Sequence, residues 1–198
     1  MRCCQKLPDS KPLKLPSLQL CLQWSPSWVG FSEYGAQLID CDGVSPAHLA
    51  ANGHWLIVLD QHLRCAWPEE GCALLLGPLP AAGELQLAWI WPCLNRWCPD
   101  PTNPDPEGSR RNRFSVDPGE LVAAQRWGRQ YGWQLLGSAH SHPSGGVQPS
   151  PIDLSWGWDG CLMLIRGLEP PAWGAWWLYE DAGVLKPREL IWPEALGE

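Results

Sequence analysis

Two histidines stand two residues apart in the run His140-Ser141-His142-Pro143, and Ser150 and Asp153 follow shortly downstream. If residues 133–142 form a strand, both imidazoles point to one face, with their Cα atoms roughly 7 Å apart. That spacing lets both rings bind one divalent cation, and Asp153 can supply a third ligand. Three protein ligands leave the fourth tetrahedral position of Zn²⁺ open, which is typical of hydrolytic zinc centres and not of structural ones.

The stretch from Ser150 to Asp153 also fits the start of a helix. Ser150 suits the N-cap, Pro151 the first helical position, and Asp153 the third position of a capping box. The two interpretations are compatible. A helix whose first turn faces the end of the strand presents Asp153 to the metal, while Ser150 caps the helix or faces a substrate.

The chain resembles the JAMM (MPN+) zinc metalloproteases, whose signature is an upstream Glu and then H-x-H-P, seven residues and S-x-x-D. The positions that match this signature are His140, His142, Pro143, Ser150 and Asp153. An upstream segment is similar to the family's P-E-E-x-C-G-L-L-x-G, with Ala73 where Gly is usual, and reads Pro68-Glu69-Glu70-Gly71-Cys72-Ala73-Leu74-Leu75-Leu76-Gly77. Phe114–Pro118 resembles the family's F-x-x-D-P helix start, and the resemblance spans about residues 54–192.

This resemblance implies a mixed α/β fold, a curved sheet flanked by helices with the cytidine-deaminase-like architecture of JAMM/MPN domains. It implies one zinc ion per chain, held by His140, His142 and Asp153, with Glu70 on the family's catalytic glutamate. It further implies hydrolysis of a peptide or isopeptide bond at the C-terminal tail of a small ubiquitin-like or sulfur-carrier protein.

Glu70 and Ser150 are the candidate catalytic residues. Amide hydrolysis at neutral pH needs a nucleophile stronger than bulk water, and zinc-coordinated water with a pKa near 7 provides one. A carboxylate beside that water, but not on the metal, accepts its proton and later protonates the leaving amine. Such general acid–base catalysis raises the rate by about 10² to 10⁴. Glu70 suits this role. Ser150 suits the donor that stabilises the oxyanion, a contribution of about 3 to 4 kcal/mol.

Other interpretations of these residues stay open at this point. Two histidines and one carboxylate also form the facial triad of non-haem iron oxygenases, although that chemistry explains neither Glu70 nor the spacing to Ser150. A non-catalytic scaffold of the MPN type would bind partners without turnover. Without the pair His140 and His142, Glu70 would be interpreted as a solvated residue at a turn.

Length, charge and cysteine content favour a protein with one full domain and argue against a membrane span and nucleic-acid binding. The 198 residues suffice for one domain with a full core plus extra segments. No run of eighteen apolar residues predicts a membrane span, and the start of the chain does not resemble a secretory signal. A net charge of -7 does not suggest nucleic-acid binding. The nine cysteines include no C-x-x-C pair, which favours reduced thiols and a cytoplasmic location, although Cys93 and Cys98 remain candidates for a loop clip or metal ligands.

Residues 1–50 are predicted to be an irregular leader, and 51–198 the metalloprotease domain. The predicted elements are a strand at 55–58, a helix at 59–67, strands at 72–76 and 85–91, a helix from Asp117 to about Tyr131, and strands at 133–142, 161–166 and 175–180. The Pro- and Asp-rich stretch 92–113 is too long for a simple turn. We predict that it forms a flap beside the zinc site that guides an extended substrate tail.

Overall fold

The computed structural model describes residues 45–80, 83–102, 105–168 and 173–191. Across these ranges the chain folds into a mixed α/β domain with a curved sheet, as the sequence predicts. In chain order the elements are β1 (His48–Ala51), α1 (Gly53–Cys65), β2 (Cys72–Gly77), β3 (Glu84–Leu87), β4 (Trp89–Cys93), α2 (Pro118–Arg129), β5 (Gln134–Ser141), α3 (Pro151–Trp156), β6 (Cys161–Arg166), β7 (Trp173–Asp181) and β8 (Val184–Glu189).

Six of these strands form one mixed sheet in the order β4-β2-β5-β6-β7-β8. β5 and β6 are parallel, and the other neighbouring pairs are antiparallel. In this register His140 near the end of β5 lies opposite Cys72 at the start of β2. The residues that precede Cys72, including Glu70, therefore enter the sheet beside the two histidines.

Apolar side chains fill both faces of the sheet. α1 covers one face with Leu56, Leu59 and Leu63, which are fully buried and stabilise the fold by about 1.5–3 kcal/mol each. α2 covers the other face through Leu121 and Ala124. Directly opposed residues of antiparallel strands point to the same face, so His140 shares the α2 face with Cys72.

Both predicted helix starts are confirmed. The side chain of Asp117 accepts a hydrogen bond from the Gly119 amide at 2.7 Å and caps α2, with Pro118 in the first turn. Ser150 caps α3 in a reciprocal capping box with Asp153. The strand predictions at 72–76, 133–142, 161–166 and 175–180 correspond to β2, β5, β6 and β7, with shifts of one or two residues at most ends.

The strand predicted at 55–58 is wrong, whereas the helix predicted at 59–67 is confirmed over residues 59–65. One helix, α1, spans both segments and begins after Asn52, whose side chain accepts a hydrogen bond from the His54 amide at 2.9 Å. A four-residue apolar run fits a strand or a buried helix equally well. The buried residues Leu56, Leu59 and Leu63 follow the helical spacing, which decides in favour of the helix.

The single strand predicted at 85–91 is also wrong, because the chain forms two strands there. β3 pairs with β1 in a small parallel sheet, whereas β4 joins the edge of the main sheet. Ala88 separates them, and its amide donates to the Leu76 carbonyl at 3.0 Å. The buried side chains change phase across this break, from Leu85 and Leu87 to Ile90.

The predicted leader lies mostly outside the described residues, which begin at Ser45. Its last residues are not irregular, because His48–Ala51 forms β1 and pairs with β3. None of the helices in the described ranges has the length and apolar character of a membrane span. The described cysteines, Cys65, Cys72, Cys93, Cys98 and Cys161, are all free thiols, so Cys93 and Cys98 do not form the disulfide clip that the sequence left open.

Candidate metal and catalytic site

The end of β5 and the first turn of α3 bring three ligand atoms together. Nε2 of His140 lies 3.0 Å from Nε2 of His142. The carboxylate of Asp153 lies 3.3 Å from the former through Oδ1 and 3.4 Å from the latter through Oδ2. Because β5 alternates its side chains, both imidazoles point to one face and Ser141 points to the other. The residues predicted as a ligand set thus form one cluster.

The donor set fits a Zn²⁺ ion. A tetrahedron with metal–ligand bonds of 2.0–2.1 Å has edges of about 3.3–3.4 Å, and one ligand atom from each of the three residues lies within 4.8 Å of the others, which is close enough for all three to converge on one ion. His140 is fully buried and Asp153 is 5 % exposed, so the group lies out of bulk water. Two neutral imidazoles and a carboxylate are the three-ligand set of a catalytic zinc centre.

The two imidazoles are oriented in different ways. Nδ1 of His142 lies 2.8 Å from the Gly146 carbonyl oxygen, so Nδ1–H donates and Nε2 keeps its lone pair for a cation. Nδ1 of His140 has no hydrogen-bond partner among the described residues. Its ring is instead stacked on Phe114, with centroids 4.7 Å apart and planes 23° apart.

The capping box of α3 holds Asp153 in place. The Ser150 amide donates to Asp153 Oδ2 at 2.7 Å, and the Asp153 amide donates to Ser150 Oγ at 3.2 Å. The Ser150 hydroxyl accepts in this arrangement, so its own proton is available to another acceptor. The structure thus confirms the helix cap, and in the same arrangement the Asp153 carboxylate lies beside both imidazoles.

Glu70 is buried, with 5 % of its surface exposed, just before β2. The next residue, Gly71, is tied to β5 by two hydrogen bonds: its amide donates to Ser141 Oγ at 2.9 Å, and its carbonyl accepts from the Ser141 amide at 3.0 Å. A Cβ at position 71 would lie 2.9 Å from the Cα of Leu63 in α1, so this close approach requires glycine. The backbone beside Glu70 is thus fixed to the histidine strand.

Burial raises the pKa of Glu70 from 4.5 to about 8. The charge of Asp153 adds to this rise, whereas His142 and Arg113 oppose it. These interactions place Glu70 within electrostatic reach of the ligand cluster. In the metal-free protein this carboxyl is therefore mostly protonated at neutral pH. A cation held by the neighbouring ligand cluster would favour the ionised form, which is the form that a general base requires.

The ligand residues are electrostatically coupled. Burial lowers the pKa of His140, which keeps its imidazole neutral for metal binding. Burial also lowers the pKa of His142, but its contact with Asp153 outweighs this effect and the pKa rises. Burial works against the charge of Asp153, yet its contacts with both imidazoles and its hydrogen bond from Ser150 hold its pKa well below the ordinary range.

The model of the prokaryotic homologs of the JAB domain matches residues 54–179. The chain belongs to this family. A protein of Desulfitobacterium hafniense with a known solution structure is 26 % identical, has a TM-score of 0.56, and is aligned over 73 % of this chain and 92 % of its own. A Salinibacter ruber protein is 25 % identical, has a TM-score of 0.47, and is aligned over 74 % of this chain and 92 % of its own. A JAB1/MPN domain protein of Archaeoglobus fulgidus is 18 % identical, with a TM-score of 0.38 and coverage of 75 % and 98 %. Among proteins with curated descriptions, none matches.

The matched range contains all five predicted site residues, so the family resemblance is confirmed at the level of the JAB domain. The roles of Glu70 and Ser150 as catalytic residues, and of the cluster as a zinc site, stay predictions.

Sequence reasoning missed the residues that hold this JAB-domain site together. In the sequence, Ser141 is only the residue between two histidines, and Gly146 has no recognisable signal. Phe114 was noted as part of a helix start, but its stacking on His140 depends on a loop that no periodicity describes. Asn95 had no recognisable signal, although its side-chain amide contacts the Glu70 backbone.

Proposed function

We propose that this JAB domain is a zinc-dependent peptidase or isopeptidase. Its proposed substrate is an amide bond at the C-terminal tail of a small ubiquitin-like or sulfur-carrier protein. The observation that carries the hydrolytic part is the burial of Glu70 beside the cluster of His140, His142 and Asp153. The substrate class rests on the family resemblance.

Each residue has a role in this proposal. A bound Zn²⁺ would be held by the two Nε2 atoms and the Asp153 carboxylate, and it lowers the pKa of water and polarises carbonyl groups. Glu70 accepts the proton of the attacking water and then delivers it to the leaving amine, so the base is regenerated in each turnover. The Ser150 hydroxyl donates a hydrogen bond to the oxyanion that develops on the scissile carbonyl.

The long loop between β4 and α2 contacts two residues of this site, Glu70 and His140. The Glu70 amide donates to the Arg110 carbonyl at 2.7 Å, and Phe114 stacks on His140. Residues 92 and 93 belong to β4, and Phe114 lies just beyond the predicted range, but the Arg110 contact supports the prediction that the rest of 92–113 forms a flap beside the site. If the flap guides the substrate tail, deletion of residues 99–109 raises KM for a tailed substrate.

The test uses the zinc-loaded chain and a panel of carrier proteins whose C-terminal tails are extended by a peptide or joined to a lysine. We expect cleavage after the tail. Glu70→Gln should lower kcat by about 10² to 10⁴ while zinc stays bound. Glu69→Gln is the matched control, because Glu69 is the adjacent, half-exposed glutamate and its carboxylate faces Arg110 at 3.8 Å. It should retain activity.

Two outcomes would contradict the proposal. A chain that binds one zinc ion and cleaves no member of the panel would favour the non-catalytic scaffold. Tight binding of Fe²⁺ with oxygen-dependent turnover, and no hydrolysis, would favour the iron oxygenase. The predicted cytoplasmic location and the absence of a nucleic-acid partner remain predictions.

A further inference from the structure

The side-chain amide of Asn95, just after β4, connects five backbone groups. The two N–H groups of Nδ2 reach three carbonyl oxygens, those of Glu70 at 3.0 Å, Arg110 at 3.4 Å and Arg113 at 2.8 Å, so one N–H is shared between two acceptors. Oδ1 accepts from two amides, those of Trp97 at 3.0 Å and Ser115 at 3.2 Å. One half-buried side chain therefore joins both ends of the long loop to the backbone of Glu70.

The backbone of Glu70 is held from both sides. On the loop side, its carbonyl accepts from Asn95 and its amide donates to the Arg110 carbonyl, which also accepts from Asn95. On the sheet side, Gly71 is bonded to Ser141 of β5. Among the described residues, only the sheet side has regular secondary structure. The loop side is held by the hydrogen bonds of Asn95 together with the backbone bond from the Arg96 amide to the Ser115 carbonyl at 2.8 Å.

The same side-chain amide bonds to the residues on either side of Phe114. Asn95 bonds the Arg113 carbonyl just before this ring and the Ser115 amide just after it. Phe114 then stacks on His140, and the Arg113 side chain lies within electrostatic reach of Glu70. The contacts of Asn95 thus converge on the segment that adjoins both the ligand cluster and the carboxylate.

We propose that Asn95 is a positioning residue for Glu70, acting through the backbone of residues 70 and 110–115; this inference rests on the role of Glu70 in the proposed function. The geometry requires an amide, because it uses donors and an acceptor of one planar group at once. An aspartate would keep the two bonds to Oδ1 but would place an oxygen against the three carbonyls.

Asn95→Asp is the main variant, and Asn112→Asp is its matched control. Asn112 is an exposed asparagine of the same loop, and among the described residues its side chain bonds to Ser109 and to the Glu107 carbonyl. Both substitutions make the same chemical change, but only the first affects Glu70. Asn95→Ala removes all five bonds without adding charge and serves as a second variant.

The first measurement is amide hydrogen exchange on the zinc-loaded protein without substrate. In both Asn95 variants the Glu70 amide should exchange faster, by roughly three- to tenfold for the loss of one stabilising hydrogen bond. The amides of β6 serve as the internal reference and should not change. In Asn112→Asp, only the loop amides near residues 105–112 should exchange faster.

The second measurement separates kcat from KM on a cleaved carrier substrate at saturating zinc. A misplaced Glu70 should lower kcat by about tenfold or more, because small displacements of a catalytic group are costly, and leave KM within twofold. An unchanged Glu70 exchange rate in either folded variant would overturn the inference, and so would an unchanged kcat. If the wild-type chain cleaves nothing, the proposed function fails by its own test, while the exchange data still decide whether Asn95 holds Glu70.

Discussion

The candidate ligands and the candidate base are held in different ways. The ligand segment, residues 140–153, carries all three proposed metal ligands within fourteen consecutive positions and orients them through a strand end and a capping box. Glu70 lies 70 residues upstream, and its position depends on the long loop, residues 94–117, which has no helix or strand among its described residues. In the ligand segment, side-chain directions follow from strand alternation and a helix cap, whereas the backbone of the long loop is tied to Glu70 by the side-chain hydrogen bonds of Asn95.

This difference predicts which property of the site a substitution in each region should change. In the ligand segment, regular secondary structure fixes the side-chain directions, so substitutions there should affect the metal directly. In the long loop, backbone geometry is set by side chains such as Asn95 and Phe114, so substitutions there should affect the base and the orientation of His140. The following variants test this division.

The largest expected effect is that of Asp153→Asn in the ligand segment. Loss of the charged ligand should weaken zinc binding by more than the roughly 10–100-fold that is typical when outer-shell partners are removed, and abolish hydrolysis. Zinc affinity is measured by competition with a chromophoric chelator. Glu120→Gln is the control, since Glu120 is the acidic residue at the third position of α2. Equal affinities in the two variants would contradict the proposed ligand set.

Ser150→Ala and Ser150→Gly distinguish the capping role of Ser150 from its proposed catalytic role. Both remove the hydroxyl, so kcat should fall by about 10² to 10³ in each. The alanine variant should also lose about 0.5–2 kcal/mol of stability, whereas glycine, a tolerated N-cap, should lose only a few tenths. Thermal unfolding and kcat are measured together. If kcat followed stability across the pair, Ser150 would be a cap alone.

The pH dependence of stability tests the burial of Glu70. In the metal-free protein, the folded-state pKa of about 8 lies above the ordinary value of 4.5, so the unfolded chain releases its proton first. The contribution of the buried, protonated Glu70 to the free energy of unfolding is therefore complete below pH 4.5. It is lost as the pH rises to about 8, and the loss amounts to up to about 5 kcal/mol. Glu70→Gln should lack this loss. Urea unfolding of both proteins at several pH values, in the presence of a chelator, measures the difference; parallel curves would show that Glu70 is solvated.

The smallest expected effect is that of Phe114→Leu, which keeps an apolar side chain but removes the ring stacked on His140. Zinc affinity should fall about two- to tenfold, as expected for the loss of an aromatic contact of 0.5–1.5 kcal/mol. Trp156→Leu is the control, because Trp156 contacts the edge of Phe114, with ring centroids 5.3 Å apart. An equal loss of affinity in both variants would indicate general loosening of the core instead of orientation of His140.

The residues that the sequence predicted correctly also differ between the ligand segment and the long loop. The two histidines, Ser150 and Asp153 were predictable because period 2 and the capping box are local rules, and both hold in β5 and α3. The family signature placed Glu70. The strand at 55–58 failed because a short apolar run does not distinguish helix from strand, and packing of Leu56, Leu59 and Leu63 against the sheet decided it.

The sequence by itself determined the identities and spacing of the candidate ligands, the caps of α2 and α3, and the buried strand that begins at Cys72. The tertiary structure alone decided that this strand lies beside β5, that Gly71 is bonded to Ser141, and that Asn95 holds the backbone of Glu70. The physical reason is range: strand alternation and helix capping act over a few residues, whereas strand order and loop hydrogen bonds depend on how the whole core packs.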